Sequence, residues 1–446
     1  MKKKILDISS TRLIALSFLL VILVGTVLLM MPVSSRSGHW TPALNALFTA
    51  TSATCVTGLA VYDTFQYWSV FGQIVILFLI QVGGLGFMTI ISLFAIFTKK
   101  RIGLHERKLL MASSGNMRIS GIIQLVKKIA KITFVCEGVG AVVLSFSFVP
   151  KMGMLRGIYN AIFHSISAFC NAGFDLMGRY RTGSSLECFE QDFSVMLPIA
   201  LLIIVGGIGF QVWGDVLQNG HHVKRYSLHT QVVLVSTIIL LSVGWVLYFI
   251  FEYNGHLVGL SMPHKLLSSF FLSVTTRTAG FAGFDLATLS QSGSLLTMVL
   301  MLIGGAPGST AGGMKVTTVA VLVLAVWGMS RGHSDITVFK RRLNKDLIKH
   351  AAVIGFVYIA AVVFSSMIIC FNEEVALTSV LFETCSALGT VGLSQGLSGV
   401  AGSFTKLILI ILMYGGRIGG LSLLLVFTEK KTEPPLKRPA ERIMIG

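Results

Sequence analysis

ALFTATSATCVTGL (Ala46–Leu59), AIFHSISAFCNAGF (Ala161–Phe174), SSFFLSVTTRTAGF (Ser268–Phe281) and SVLFETCSALGTVGL (Ser379–Leu393) are four copies of one pattern. Each is a short apolar run, too brief to cross a bilayer, that ends in glycine followed by a bulky apolar residue. Phe48, Phe163, Phe270 and Phe382 stand at one fixed distance ahead of Gly58, Gly173, Gly280 and Gly392. A Ser-Ala pair recurs at Ser52-Ala53, Ser167-Ala168 and Ser386-Ala387, with Val274-Thr275 in the third copy. The glycines return about every 110 residues, a period that marks internal duplication.

Longer apolar stretches flank each copy, at 11–31, 69–97, 122–149, 193–217, 228–253, 294–328, 346–371 and 404–427. Each is long enough to span roughly 30 Å of hydrocarbon. The chain has 446 residues, 54% hydrophobic and only 12% charged, with mean hydropathy +0.80. So little charge cannot clothe a soluble fold. The opening Met1–Lys4 and apolar run Leu13–Met31 carry no small-residue cleavage site, so they read as a first transmembrane helix rather than a secretory signal. The second stretch of each unit bears a glycine pair: Gly83-Gly84, Gly206-Gly207, Gly304-Gly305 and Gly415-Gly416. Close helix packing accounts for such pairs as well as any role in a site does.

The expected fold is therefore an all-α membrane protein of four tandem helix–short helix–helix repeats, with eight transmembrane helices and four re-entrant ones around a pseudo-fourfold axis. The repeats divide as 1–98, 99–220, 221–330 and 331–428, with a tail at 429–446 whose Pro434, Pro435 and Pro439 suit an extended or a disordered segment.

A net charge of +17 would suggest nucleic acid on a soluble chain. Here Lys99–Arg101, Lys127, Lys128, Lys131, Lys224, Arg225, Arg331, Lys340–Arg342, Lys430, Lys431, Lys437 and Arg438 alternate with connections carrying Asp63, Asp175, Glu187, Glu190, Asp192, Glu252, Asp285, Glu373 and Glu374. That asymmetry puts both termini and every second loop in the cytoplasm and leaves nucleic acid a remote alternative. The cysteines Cys55, Cys136, Cys170, Cys188, Cys370 and Cys385 make no disulfide framework, since Cys188 alone falls in an external loop.

Irregular backbone at membrane depth is tolerated where it lines a water-filled path. A short helix that stops at glycine and turns back leaves carbonyls without helical partners, and four such ends make carbonyl rings able to replace the water around a cation. Glycine permits the required backbone, and the partly negative C-termini of the short helices favour cations.

These motifs, VTGL, NAGF, RTAGF and TVGL in four M1–P–M2 units over nearly the whole chain, resemble the membrane subunit of the Ktr/Trk/HKT superfamily of potassium transporters, most closely its Ktr branch. The absence of an additional N-terminal helix pair before the first repeat favours that branch over Trk. The resemblance implies potassium uptake across the plasma membrane, with a filter at Thr54, Cys55, Val56, Thr57, Gly58; Phe169, Cys170, Asn171, Ala172, Gly173; Thr276, Arg277, Thr278, Ala279, Gly280; and Leu388, Gly389, Thr390, Val391, Gly392. Glycine at position 58 goes with potassium selectivity in the family, and serine with sodium permeation. Asn171, Ala172, Arg277 and Ala279 depart from the TVG pattern, and a sodium-permeable or sodium-coupled transporter is the alternative. Arg277 reads as a brace behind the filter, because a bare cation in the path would repel the ion.

GGAPGSTAGGMK (Gly304, Gly305, Ala306, Pro307, Gly308, Ser309, Thr310, Ala311, Gly312, Gly313, Met314, Lys315) cannot continue a helix through five glycines and a proline. The resemblance implies an intramembrane gating loop beneath the filter. A nucleotide-binding P-loop is the rival, but Met314 precedes Lys315 and no strand–helix unit surrounds it. Arg417, a charge inside the last span, is expected near the permeation path, with an ion pair to Glu137 or Glu383 as the other reading. His164 reads as a packing residue. An intramembrane enzyme would need a convergent constellation, and His164, Glu137, Asp215 and Glu383 are scattered over different helices. Inverted repeats would favour an alternating-access transporter, whereas four parallel units favour a pore.

The chain itself implies no cofactor and no fixed metal. The resemblance adds potassium as substrate, sodium as activator or coupled ion with no site legible here, a homodimer in the lipid bilayer, and a cytoplasmic ring of RCK-type subunits binding ATP or ADP.

Overall fold

The computed structural model describes residues 10–86, 122–332, 336–339 and 341–419. The end of the second apolar span, the basic stretch Lys99–Arg101, Lys340, the last part of the eighth span and the tail 429–446 lie outside the described residues.

Helices α1 (Ser10–Met30), α2 (Ala43–Thr54) and α3 (Val70–Leu85) come first, followed by α4 (Ile122–Met152), α5 (Met154–Phe169), α6 (Phe193–Gly207) and α7 (Phe210–Asn219). Then come α8 (Leu228–Phe251), α9 (Met262–Thr275), α10 (Gln291–Leu302), α11 (Val316–Ser330), α12 (Lys345–Asn372), α13 (Leu377–Gly389) and α14 (Ser403–Ile418). A two-residue antiparallel pair, β1 (Thr337–Val338) with β2 (Arg341–Arg342), sits between α11 and α12. Helix starts follow local chemistry: Ser69, Asp192, Ser227, Ser290 and Asn344 each accept a bond from a first-turn amide that would otherwise have no partner.

Among the described residues four helices, within α1, α4, α8 and α12, are long and apolar enough to cross a membrane, and α6 with α7 makes a fifth if the bent pair is one span. Their outer faces show large apolar side chains: Leu20 and Val27, Phe134 and Phe146, Ile238 and Val246, Phe356 and Phe364. An apolar surface of that extent requires lipid or a partner chain. Inside that shell lie α2, α5, α9 and α13, with Phe48, Phe163 and Phe382 fully buried. Phe270, the recurring phenylalanine of the third unit, is only half-buried, and Phe271 takes the interior place.

The apolar run 193–217 is not one straight helix, as its hydropathy suggests. It bends by 93° between α6 and α7. Gly209 holds φ of 98°, and the amide of Phe210 donates to the carbonyl of Gly308 at 2.8 Å. A through-space partner in the 304–315 segment thus diverts the chain, which hydropathy cannot reveal. That segment does interrupt its own span as glycine and proline dictate: α10 ends at Leu302 and α11 starts at Val316.

Candidate functional site

The four short helices end alike, the third with its closing bond one residue later than the others. Backbone bonds from Thr57, Ala172, Gly280 and Val391 return to Ser52, Ser167, Thr275 and Ser386, closing each helix end on itself. Val56, Asn171, Thr278 and Thr390 adopt left-handed φ of 56°, 58°, 67° and 51°. Two residues on, Gly58, Gly173, Gly280 and Gly392 have φ of 97°, 70°, 80° and 94°. Four ordinary residues held in this region cost of order 1–3 kcal/mol each, so the surroundings must impose it. With the amides turned toward their own helices, the carbonyls at 55–58, 170–173, 276–280 and 389–392 receive no donor among the described residues.

The glycines meet in a closed ring. A Cβ on Gly58 would lie 2.6 Å from the Ala172 carbonyl oxygen, and one on Gly173 would lie 2.7 Å from that of Ala279. One on Gly280 would strike the Val391 oxygen, and one on Gly392 the Thr57 oxygen. Each glycine therefore abuts the carbonyl just before the glycine of the next unit, in the order first, second, third, fourth and back to first. Only a residue without a side chain allows that approach. The hydroxyls of Thr54, Thr57 and Thr390 are buried without a hydrogen-bond partner among the described residues, so further oxygens remain uncommitted around the ring.

The paired glycines of the outer helices are explained by contact with the same turns. A Cβ on Gly83 would overlap the Thr54 carbonyl oxygen, one on Gly206 that of Phe169, and one on Gly416 that of Leu388. These are the equivalent positions in three units. In the third, Gly304 and Gly305 instead serve the interruption, packing on Gly312 and Ala311. Gly206→Ala is expected to destabilise the protein by about 1–3 kcal/mol, the usual cost of overpacking. A lower thermal midpoint of the detergent-purified protein would register it.

One side of the ring opens into a cavity of about 420 Å³ lined by all four glycines together with Asp63, Asp175, Glu187 and Asp285. The other side is covered by the 304–315 segment. Thr310 Oγ1 donates to the Phe169 carbonyl at 3.1 Å, and the Ala306 amide to Gly207 at 2.9 Å. Gly312 lies against Thr390, and Gly313 against the Gly389 backbone. Lys315 Nζ folds back to the Ala311 carbonyl at 2.7 Å, capping its own segment rather than facing a phosphate.

Arg417 at the end of α14 joins three units. Its Nη1 donates to the Thr310 carbonyl, and its Nη2 to Gly83 and, at 3.4 Å, to Gly84. These partners are backbone carbonyls, so the ion pair with Glu137 or Glu383 is not formed. Glu137 instead accepts from Gln81 at 3.0 Å, with Cys170 close by, behind the second turn. Glu383 accepts from Ser394 and Ser398. Arg277 is buried beside the third turn with its Nε unpartnered among the described residues. His164 does more than pack: its Nε2 accepts from the Leu176 amide at 3.3 Å. Glu137 and Glu383 carried no sequence signal by themselves. Glu383 and His164, however, both directly follow a recurring phenylalanine, and that alignment marks them.

A lipid-exposed helical shell around a ring of uncommitted carbonyls defines a polytopic membrane transport protein. A family model described as "TrkH: Cation transport protein" matches residues 9–434, and the chain belongs to that family. It is 41% identical to the potassium/sodium uptake protein NtpJ of Enterococcus hirae, over 100% of this chain and 99% of that one. It is 40% identical to the Ktr system potassium uptake protein B of Bacillus subtilis, over 95% and 93% of the two chains. The crystal structure of the potassium transporter TrkH from Vibrio parahaemolyticus shares the fold, with TM-score 0.73 and 20% identity over 92% of this chain and 84% of that one. The resemblance to Ktr-type membrane subunits is borne out, and the protein is a transporter rather than an enzyme.

Proposed function

We propose that this protein takes up potassium across the plasma membrane through a gated pore. Four M1–P–M2 repeats, eight transmembrane helices in all, surround a pseudo-fourfold axis on which the glycine turns form the selectivity filter. The single observation that carries this reading is the closed glycine–carbonyl ring, since free carbonyls around an axis are what a dehydrated cation requires. The short helices end at the ring with their partly negative ends, which favours cations. Relatives named as potassium uptake proteins support the choice of ion.

Gly304–Lys315 serves as the gate, held shut by Arg417, because it lies across one side of the ring. Arg277 acts from behind the third turn. The basic-loop asymmetry favours cytoplasmic termini. The name "Ktr system" on a relative supports a multi-subunit assembly, here a homodimer docked on a cytoplasmic RCK-type ring that binds ATP or ADP.

The test is growth at limiting potassium and rubidium uptake in a strain lacking its own uptake systems, with this chain alone and with a ring subunit. Rescue that strengthens with the ring subunit supports the whole reading. Well-expressed protein without rubidium uptake in either case counts against it. The second reading, sodium as a carried or activating ion, is favoured by the printed name of the Enterococcus hirae relative. Sodium uptake measured in the same cells separates the two.

External pH gives a further expectation. Asp175, in the connection after the second turn, has its carboxyl pushed up to about 7, first by burial and then by Asp63 and Glu187, against bonds from the Met177 amide and Ser185. It is charged above that pH and neutral below it. Rubidium uptake at low concentration is therefore expected to fall as external pH drops through about 7. Asp175→Asn is expected to flatten that profile at its acid level.

A further inference from the structure

The residue that directly follows the recurring phenylalanine differs in all four pore helices: Thr49, His164, Phe271 and Glu383. All four are buried. In the second and fourth units this residue is polar and reaches the connection that leaves the filter. His164 Nδ1 lies 2.8 Å from the Asn160 carbonyl, which can only accept, so Nδ1 carries the proton. Nε2 is then free to accept from the Leu176 amide, next to Asp175 in the wall of the outer cavity. Glu383 Oε1 accepts from the Ser398 amide at 3.0 Å, from Ser394 Oγ at 3.0 Å and from Ser398 Oγ. Ser394 lines the same cavity, with Gln395 and Gly396 between it and the helix of Ser398.

In the first and third units this position makes no such bond, and the side-chain ties to the outer connection come from elsewhere on the helix, from Asn45 Nδ2 to the Tyr62 hydroxyl at 2.6 Å and from Thr275 Oγ1 to the Phe281 carbonyl at 2.7 Å. Thr49 Oγ1 donates within its own helix to Asn45 at 3.0 Å, and Phe271 has no polar atom on its side chain. The mouth of the third unit is gripped from outside, by the Leu186 amide on the Ala282 carbonyl at 2.9 Å and by Ser185 on the Ala282 amide. In the glycine ring the second and fourth units stand opposite each other.

We propose that His164 and Glu383 are a diagonal pair of positioning residues that hold the outer mouth of the filter at its potassium-selective width. The inference rests on the pore reading above. Neither side chain touches the ion path. Each fixes, from inside its own pore helix, the strand on which the filter glycine is carried. All three bonds to Glu383 converge on Oε1, while Oε2 has no partner among the described residues. Hydrogen-bond acceptance rather than charge is therefore the working property, and an amide can supply it.

The test compares E383A, E383Q, H164L and H164Q in two readouts. In the first, E383A and H164L are expected to lower the rubidium-to-sodium uptake ratio about five- to tenfold, the effect of losing a buried hydrogen bond. E383Q and H164Q keep an acceptor and are expected to stay near the unaltered ratio. In the second, amide hydrogen exchange in nanodiscs is expected to quicken around residue 398 in E383A and around 176 in H164L, each at its own corner only. Should E383A fail to insert, the S394A/S398A double variant removes two donors from the loop side and is expected to shift the ratio in the same direction. Unchanged ratios and exchange in well-inserted E383A and H164L overturn the proposal, as does E383Q behaving like E383A. Absence of rubidium uptake by the unaltered protein would count against the pore reading alone, and exchange would still decide the pins.

Discussion

Gly58→Ser is expected to admit sodium, lowering the potassium-to-sodium uptake ratio by about tenfold or more, which corresponds to roughly 1.4 kcal/mol. The physical cause is twofold. Gly58 has φ of 97°, a region that L side chains occupy only under strain of order 1–3 kcal/mol. Its Cβ would also sit 2.6 Å from the Ala172 carbonyl oxygen and 3.3 Å from the Cα atoms of Gly173 and Gly392. All three neighbours are backbone, so the ring must widen or shift and its carbonyls lose their spacing, which on the potassium reading weakens the preference for the larger ion. The serine hydroxyl adds a ligand that suits a smaller ion. Competition between rubidium and sodium uptake measures the change. A Gly58→Ser protein that excludes sodium as well as the unaltered protein would remove Gly58 from the selectivity mechanism. Gly392→Ala, whose Cβ would overlap the Thr57 oxygen, is expected to impair the ring at least as severely.

Shortening the 304–315 segment, or replacing Arg417 with alanine, is expected to raise the rubidium uptake rate. Arg417 makes charge-assisted bonds to the Thr310 carbonyl on that segment and to Gly83 and Gly84 on α3. Such a bond contributes about 1.5–3 kcal/mol, so losing the one that reaches the segment is expected to shift the opening equilibrium by roughly ten- to a hundredfold, until the open state saturates. Lysine at 417 keeps the charge but not the fork that reaches two units, and an intermediate rate is expected. Initial rates normalised to protein in the membrane are the measurement. A correctly inserted loop-shortened protein with unaltered flux would exclude this segment as the gate. The Arg417→Ala arm alone is weaker, because it leaves three carbonyls in need of donors.

Much of the architecture was legible because it rests on local properties. The apolar runs that become α1, α4, α8 and α12 are set by length and hydropathy. The interruption at 304–315 is set by glycine and proline, which cannot continue a helix whatever surrounds them. The four turns were legible from glycines repeated behind a phenylalanine. What misled was the run 193–217, apolar throughout yet bent by 93°, since Phe210 is held by Gly308 of another unit. Arg417 is legible in the sequence as a costly charge inside a span, but hydropathy cannot tell a pore-facing role from a carboxylate partner or from a set of carbonyls.

By itself, then, the sequence determined that this is a membrane protein of repeated helix–turn units, with glycine at each turn and one broken span. These are consequences of chain composition within a few helical turns. Only the tertiary structure decided the order of the ring, which carbonyl each glycine meets, and why the paired glycines of three outer helices must lack side chains. It also decided that Arg417 grips Gly83, 334 residues away in the chain, and that His164 and Glu383 reach the connections beyond the second and fourth glycine turns. Those features depend on which distant segments become neighbours in space, and that is settled by how the helices pack, not by any local property of the chain.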